Sequence, residues 1–107
     1  MKPAIKVIGV PNDINSSFMR GSSAAPPLIR EALFSASSNL FSESGLDLDQ
    51  IGIWEDLGDI EFSGEIEEES FKKIKTFVKD VLASDQKLVS LGGDHSVSWP
   101  ILDAHLD

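Results

Sequence analysis

Three short apolar runs alternate along this chain with segments whose apolar residues recur at helical spacing. Ala4-Ile5-Lys6-Val7-Ile8-Gly9-Val10 is rich in β-branched residues and stops at Pro11, which predicts a buried strand. Asn12 to Ala25 lacks an apolar period and is dense in Asn, Ser, Gly and Ala, the composition of a long loop. Pro26-Pro27 suits the first turn of a helix, where a missing N–H has no intrahelical acceptor to lose. Leu28, Ile29, Ala32, Leu33 and Ala36 continue that helix, and Ser37-Ser38-Asn39 ends it. Ile51-Gly52-Ile53-Trp54 predicts a second strand, running into Glu55-Asp56-Leu57-Gly58-Asp59-Ile60. Phe71, Ile74, Phe77, Val78, Val81 and Leu82 form a helix stripe, with Lys72, Lys73, Lys75 and Lys79 off it. Glu65, Glu67, Glu68 and Glu69 sit at its start, where the helix dipole favours negative charge. Lys87 to Leu91 predicts a third strand. After it, Ser98 can cap a last helix with Pro100 in its first turn and Trp99, Leu102 and Leu106 as its apolar repeat.

The order β-α-β-α-β-α predicts an α/β fold: one domain over residues 1–107, a parallel sheet with right-handed crossover helices. Composition agrees, with 107 residues, 41% hydrophobic and 25% charged. No apolar run nears the roughly 20 residues that span a bilayer, and no signal-peptide core follows Met1, so neither membrane nor export is expected. The chain has no cysteine, which excludes a disulfide framework, a thiolate metal site and a Cys nucleophile and is compatible with a cytoplasmic location. A net charge of −9 leaves no phosphate-binding stripe, so nucleic acid is not an expected partner. Glu43 through Glu69 hold eleven of the eighteen carboxylates and no Lys or Arg. A solvated loop and helix start accounts for them; a cation-binding or partner-facing patch is the alternative.

The chemistry concentrates where the third strand ends, at Leu91-Gly92-Gly93-Asp94-His95-Ser96. Ligands of open α/β sheets bind outside the carboxyl edge of the strands. The glycine pair permits a turn with positive φ or a close backbone approach to a ligand, yet it is neither a P-loop nor a dinucleotide fingerprint. His95 is a candidate metal ligand, general base or plain surface histidine, and Asp94 a turn residue or an acceptor that orients its neighbour. Ser96 and Ser98 lack the Gly-x-Ser-x-Gly elbow of a nucleophile and read as capping residues. Asp103-Ala104-His105-Leu106-Asp107 is a second candidate. In an extended segment Asp103, His105 and Asp107 would share a face and converge on a cation. In a helix Asp103 and Asp107 share a face and His105 points away. Helix is the preferred reading.

Together these blocks resemble the start of a ureohydrolase, the arginase/agmatinase/formimidoylglutamase family. Ile5-Lys6-Val7-Ile8-Gly9-Val10-Pro11 is similar to the family's first strand. Ser16-Ser17-Phe18-Met19-Arg20-Gly21, Pro26 and Ile29-Arg30-Glu31-Ala32-Leu33 resemble its first loop and helix. Asp56-Leu57-Gly58-Asp59-Ile60 resembles the segment after its second strand, and Leu91-Gly92-Gly93-Asp94-His95-Ser96 its first metal motif. Ala25 departs from the glycine usual before the proline. The resemblance implies the amino-terminal part of an arginase-like three-layer α/β fold. It implies a hydrolase that splits guanidino or formimino C–N bonds of small molecules at a binuclear manganese (Mn2+) centre, with His95 a ligand of one ion and Asp94 its neighbour. Asp103 to Asp107 spells the family's second motif, Asp-Ala-His-x-Asp. In the family, however, a helix and a strand separate the two motifs, and here only Val97 to Leu102 intervene.

The resemblance further implies a portion of a longer enzyme, inactive alone, binding manganese weakly. An unpaired apolar sheet edge makes a homo-oligomer the expected state. Two other readings stand beside it: a small Rossmann-like ligand-binding module, and a non-catalytic interaction protein using the acidic 43–69 region.

Overall fold

The computed structural model describes residues 4–15, 20–35, 38–48 and 52–107. Three strands, β1 (Ile5–Val10), β2 (Trp54–Asp59) and β3 (Lys87–Gly92), form one parallel sheet in the order β2-β1-β3. Three helices accompany them: α1 (Ala25–Leu33), α2 (Glu67–Leu82) and α3 (Ser98–Leu106). Short 3₁₀ turns at Ser22–Ala24 and His95–Val97 lead into α1 and α3.

Alternation along β1 divides the molecule into layers. Ile8 and Val10 are fully buried with Ile74 and Val78 of α2, and Ile60, Val97 and Ala104 join that core. Ile5 and Val7 point the other way and, with Val89 and Leu91, meet Ile29 and Leu33 of α1 across a cleft of ≈ 270 Å³. Helix α3 packs on α2, so the chain leaves β1 toward one face and β3 toward the other.

The second strand lies later than its apolar run predicts. Gly52 adopts φ 66°, outside the extended region, and Ile53 only offers its carbonyl to the N–H groups of Ala4 and Ile5. Ile51 lies outside the described residues. Pairing begins at Ile5↔Trp54 and continues through Val7↔Asp56, then slips so that Gly9 faces Asp59. The slip is a bulge at Leu57-Gly58, with Gly58 at φ 85°. In an unbroken strand residues three apart point to opposite faces; the bulge brings Asp56 and Asp59 to one side. There they grip Arg30 of α1, which donates Nε–H to Asp56 Oδ2 at 2.6 Å, Nη2–H to Asp56 Oδ1 at 3.0 Å and Nη1–H to Asp59. Burial alone would raise the Asp56 pKa, but the Arg30 guanidinium and the Gly58 N–H together outweigh it and hold the carboxyl below its ordinary range. Gly9 makes room for this grip, because a Cβ there would lie 1.8 Å from Asp59 Oδ1.

Helix α1 stops at Leu33, short of the expected Ala36, and Phe34 stacks on Trp54 with ring centroids 6.4 Å apart. Ala36 and Ser37 lie outside the described residues. Two of the expected stripe residues, Ile29 and Leu33, do line the cleft, while Leu28 is 59% exposed. The last helix departs further from its predicted face. Trp99, Leu102 and Leu106 are exposed, and α3 turns Pro100 and Ala104 inward instead. Small residues on that side let α3 sit close on α2. Ser98 makes no capping bond; the cap is Asp94, one turn earlier, which accepts from the Ser96 N–H.

Four carboxylates of the acidic 43–69 stretch form ion pairs. Glu55 meets Lys6, Asp56 and Asp59 meet Arg30, and Glu65 meets Lys73 at 2.6 Å. The Lys73 ammonium, reinforced by backbone N–H donors, holds the Glu65 carboxyl at about 2. Asp13, in the loop after β1, is likewise lowered from 3.8 to about 2, chiefly by the Gly21 N–H and then that of Ser23.

Two expectations follow. Gly58→Ala forces a left-handed residue and should cost about 1–2 kcal/mol. Arg30→Lys, which loses the planar fork at a partly exposed site, should cost about 1–2 kcal/mol as well. Both changes loosen one grip, so urea melting of the double mutant should show less than the sum. For Asp13, a folded pKa below the unfolded one means stabilisation that is complete above about pH 5 and drains away toward pH 2. Asp13→Asn should therefore flatten the acid limb of stability against pH, measured by thermal melting.

Candidate metal site at the carboxyl end of β3

Parallel register sets Val10 beside Gly92, so the loop after β1 and the turn after β3 emerge side by side. They then depart to opposite faces of the sheet, which makes this edge a topological switch point. Gly93 seats the turn. A Cβ there would lie 2.2 Å from the Asn12 carbonyl oxygen, so only glycine lets the two backbones meet. Neither Gly92 nor Gly93 has positive φ; of the two expected uses of the pair, Gly93 serves close approach, and what it approaches is a neighbouring loop.

Asp94 ties the two segments together. Its own N–H donates to Asn12 O at 2.9 Å. Its Oδ1 accepts from the Ser96 N–H at 2.8 Å and from the Ser96 hydroxyl, and its Oδ2 accepts from the Asn15 N–H at 2.8 Å. The carboxylate is 9% exposed, and with three donors on two oxygens it is a structural acceptor. Asn12 is itself buried and closes its loop by accepting from the Ile14 N–H. Sequence reasoning missed Asn12 and Asn15, whose partners lie some 80 residues away and leave no local pattern.

His95 differs from its neighbours. It is exposed, and its imidazole has no hydrogen bond or ion pair with a described residue. It lines a cleft of ≈ 470 Å³ with Gly92, Gly93, Ser98 and Leu102. An unpaired imidazole on a braced turn is a competent ligand for a divalent cation, and it is one ligand only. Among the described residues no three His, Asp or Glu side chains are placed to hold an ion together.

The second candidate set is helical. Asp103 and Asp107 share a face of α3 and both pair with Lys75 of α2, at 3.1 and 3.0 Å, while Asp107 also meets Lys79 at 3.1 Å. The lysines hold the Asp107 carboxyl below its ordinary range, Lys75 contributing most. His105 points elsewhere and bonds through Nδ1 to the Ile101 carbonyl at 2.9 Å. The spelled motif is a helix–helix clamp in this structure.

Comparison with known proteins bears on this edge of the sheet. The Arginase family model matches residues 3–107. Arginase 1, mitochondrial, of Oryza sativa subsp. indica is 34% identical over 110 residues, which cover 97% of this chain and 32% of that protein. The solved structure of an arginase from Medicago truncatula superposes with a TM-score of 0.85 at 34% identity, covering 95% of this chain and 34% of that one. A formimidoylglutamase from Bacillus subtilis gives 0.80 at 31% identity, over 97% of this chain and 32% of that one. The chain thus spans about a third of the length of the relatives it matches. A parallel sheet carrying the Gly-Gly-Asp-His-Ser turn at its carboxyl edge, matched in both sequence and fold over nearly the whole chain, places it in the arginase family.

Proposed function

We propose that this chain forms part of a ureohydrolase, hydrolysing a C–N bond of a small guanidino or formimino compound at a manganese centre. One observation supports the reading above the others. The turn after β3 is braced on both sides of His95, while the imidazole itself has no partner among the described residues and stands beside a cleft. His95 would hold one manganese ion. Asp94 would brace the turn instead, because its buried carboxylate already accepts three protein donors across both oxygens. Manganese favours hard oxygen ligands as well as imidazole, so further carboxylates would have to join His95 from outside the described residues. When bound, paired divalent cations make water nucleophilic at neutral pH and stabilise charge developing on the substrate. The residues of this chain supply position: Gly93 seats the turn, Asp94 fixes it, and His95 presents a donor.

The names of the relatives, arginase and formimidoylglutamase, support the substrate class, since both imply attack on an amidine-like carbon. The Rossmann-like alternative rested on the glycine pair approaching a ligand, and Gly93 abuts Asn12 instead. A homo-oligomer accords with the apolar residues that α3 leaves exposed.

With one donor in place, the chain should bind Mn2+ weakly and turn over neither arginine, agmatine nor formiminoglutamate. Titration followed by electron paramagnetic resonance should show a dissociation constant in the millimolar range, consistent with about −4 kcal/mol, and His95→Ala should abolish the binding. Stoichiometric tight binding with turnover would overturn the expectation that this chain supplies one donor only, and binding unaffected by His95→Ala would overturn the assignment of His95 to the metal.

A further inference from the structure

We infer that Asp94 is the positioning residue for His95: it latches the loop after β1 to the turn after β3 and thereby sets where the imidazole stands. The inference rests on the reading of His95 as a metal ligand.

The two segments meet at a switch point, where they leave the sheet toward opposite faces and nothing in the strand pairing holds them together beyond Val10↔Gly92. What holds them is Asp94. The peptide N–H before His95, that of Asp94, is fixed on Asn12 O. The peptide N–H after it, that of Ser96, is fixed on Asp94 Oδ1. The His95 side chain is exposed and has no partner among the described residues, so its position depends on the backbone held between those two bonds. A simple cap of the 3₁₀ turn would need Oδ1 alone. The second oxygen reaches across to the Asn15 N–H, and the Asn15 amide adds a longer contact of 3.4 Å to Ser96 Oγ. This crossing bond joins the two walls of the cleft edge, and turn capping does not call for it. Groups that orient a metal-binding imidazole commonly govern metal affinity by 10–100-fold.

Chemistry allows the crossing bond to be cut selectively. In Asp94→Asn, two donors converge at the Oδ1 position, so the remaining carbonyl oxygen is retained there. The new NH2 then faces the Asn15 N–H, donor against donor, and the latch opens while the cap survives. Asn15→Pro removes the same bond from the other side and leaves Asp94 unchanged. Ser96→Ala removes the hydroxyl bond to Asp94 Oδ1 and the long Asn15 amide contact but keeps both backbone N–H bonds to Asp94, so it separates these lesser contacts from the crossing bond.

The chain has two histidines, which makes the readout residue-specific. Mn2+ added to the full chain should broaden the His95 ring proton signals in NMR spectra before those of His105, with His95→Gln identifying the signal. Asp94→Asn and Asn15→Pro should need about tenfold or more Mn2+ for the same broadening, with amide dispersion retained, and Ser96→Ala should change little. Absence of selective broadening in the unaltered chain would remove the metal reading and this inference with it. Selective broadening that is unchanged in both latch variants would overturn the inference alone. Loss of the fold in both variants would overturn it too, because the latch would then be holding the fold instead of aiming His95.

Discussion

The central position of β1 constrains everything else in this molecule. It is paired on both sides in parallel register, and its inward residues Ile8 and Val10 have no solvent exposure. Burying one face under α1 and the other under α2 and α3 obliges the connections after β1 and β3 to leave in opposite directions. The carboxyl ends of β1 and β3 therefore meet as neighbours with diverging loops. Two close approaches make that meeting possible. Gly9 admits the Asp59 carboxylate and Pro26, and Gly93 admits the Asn12 backbone. A methyl group at either would push a layer or a loop away from the sheet, so the absence of two side chains shapes this edge as much as any side chain does.

Electrostatics follow from the same arrangement. A chain with twice as many acids as bases should repel itself, most of all across residues 43–69. The fold answers by spending several cations on specific joints between elements. Arg30 fastens α1 to the bulge of β2, Lys73 fastens the β2–α2 connection, and Lys75 and Lys79 fasten α3 to α2. Lys73 also caps Glu61 O and sits 5.7 Å from the centre of the Phe62 ring, so one ammonium organises three groups. Carboxylates near the site are held by N–H donors, as Asp13 and Asp94 show. The net charge is therefore an excess at the exposed surface laid over a largely compensated frame.

Local pattern carried the architecture and lost the connections. The β-branched run of β1 and the stripe of α2 were legible because each carries buried apolar residues, and β3 because its apolar run is short and bounded, although none of its residues is fully buried. β2 was misplaced by its most apolar residues: as an edge strand it needs few, and Gly52 ends the extended backbone ahead of Trp54. The face of α3 was misread for a related reason. Close packing on α2 selects Pro100 and Ala104, small groups that an apolar repeat does not mark, and leaves Trp99, Leu102 and Leu106 uncovered. At the candidate site the turn and His95 were visible as a strand end with unusual chemistry. The Asn12 and Asn15 contacts were not, since hydrogen bonds that span about 80 residues have no period and no local composition.

The segment Asp103-Ala104-His105-Leu106-Asp107 shows how far identical letters can diverge in meaning. With a period of two, its first, third and fifth side chains form one row of donors a few ångströms apart, a sensible cradle for a cation. With a period of 3.6, the first and fifth share a face one turn apart and the third faces away. Helix α3 enforces the second geometry, and its neighbour decides the consequence. Lys75 and Lys79 of α2 lie opposite that face and neutralise both aspartates. The same carboxylates that could have bound a metal are thereby committed to holding two helices together, and His105 turns its Nδ1 to its own helix at Ile101. Among the described residues, His95 sits on a turn whose neighbours take up the bracing and keeps an unengaged imidazole at the edge where ligands of such sheets bind.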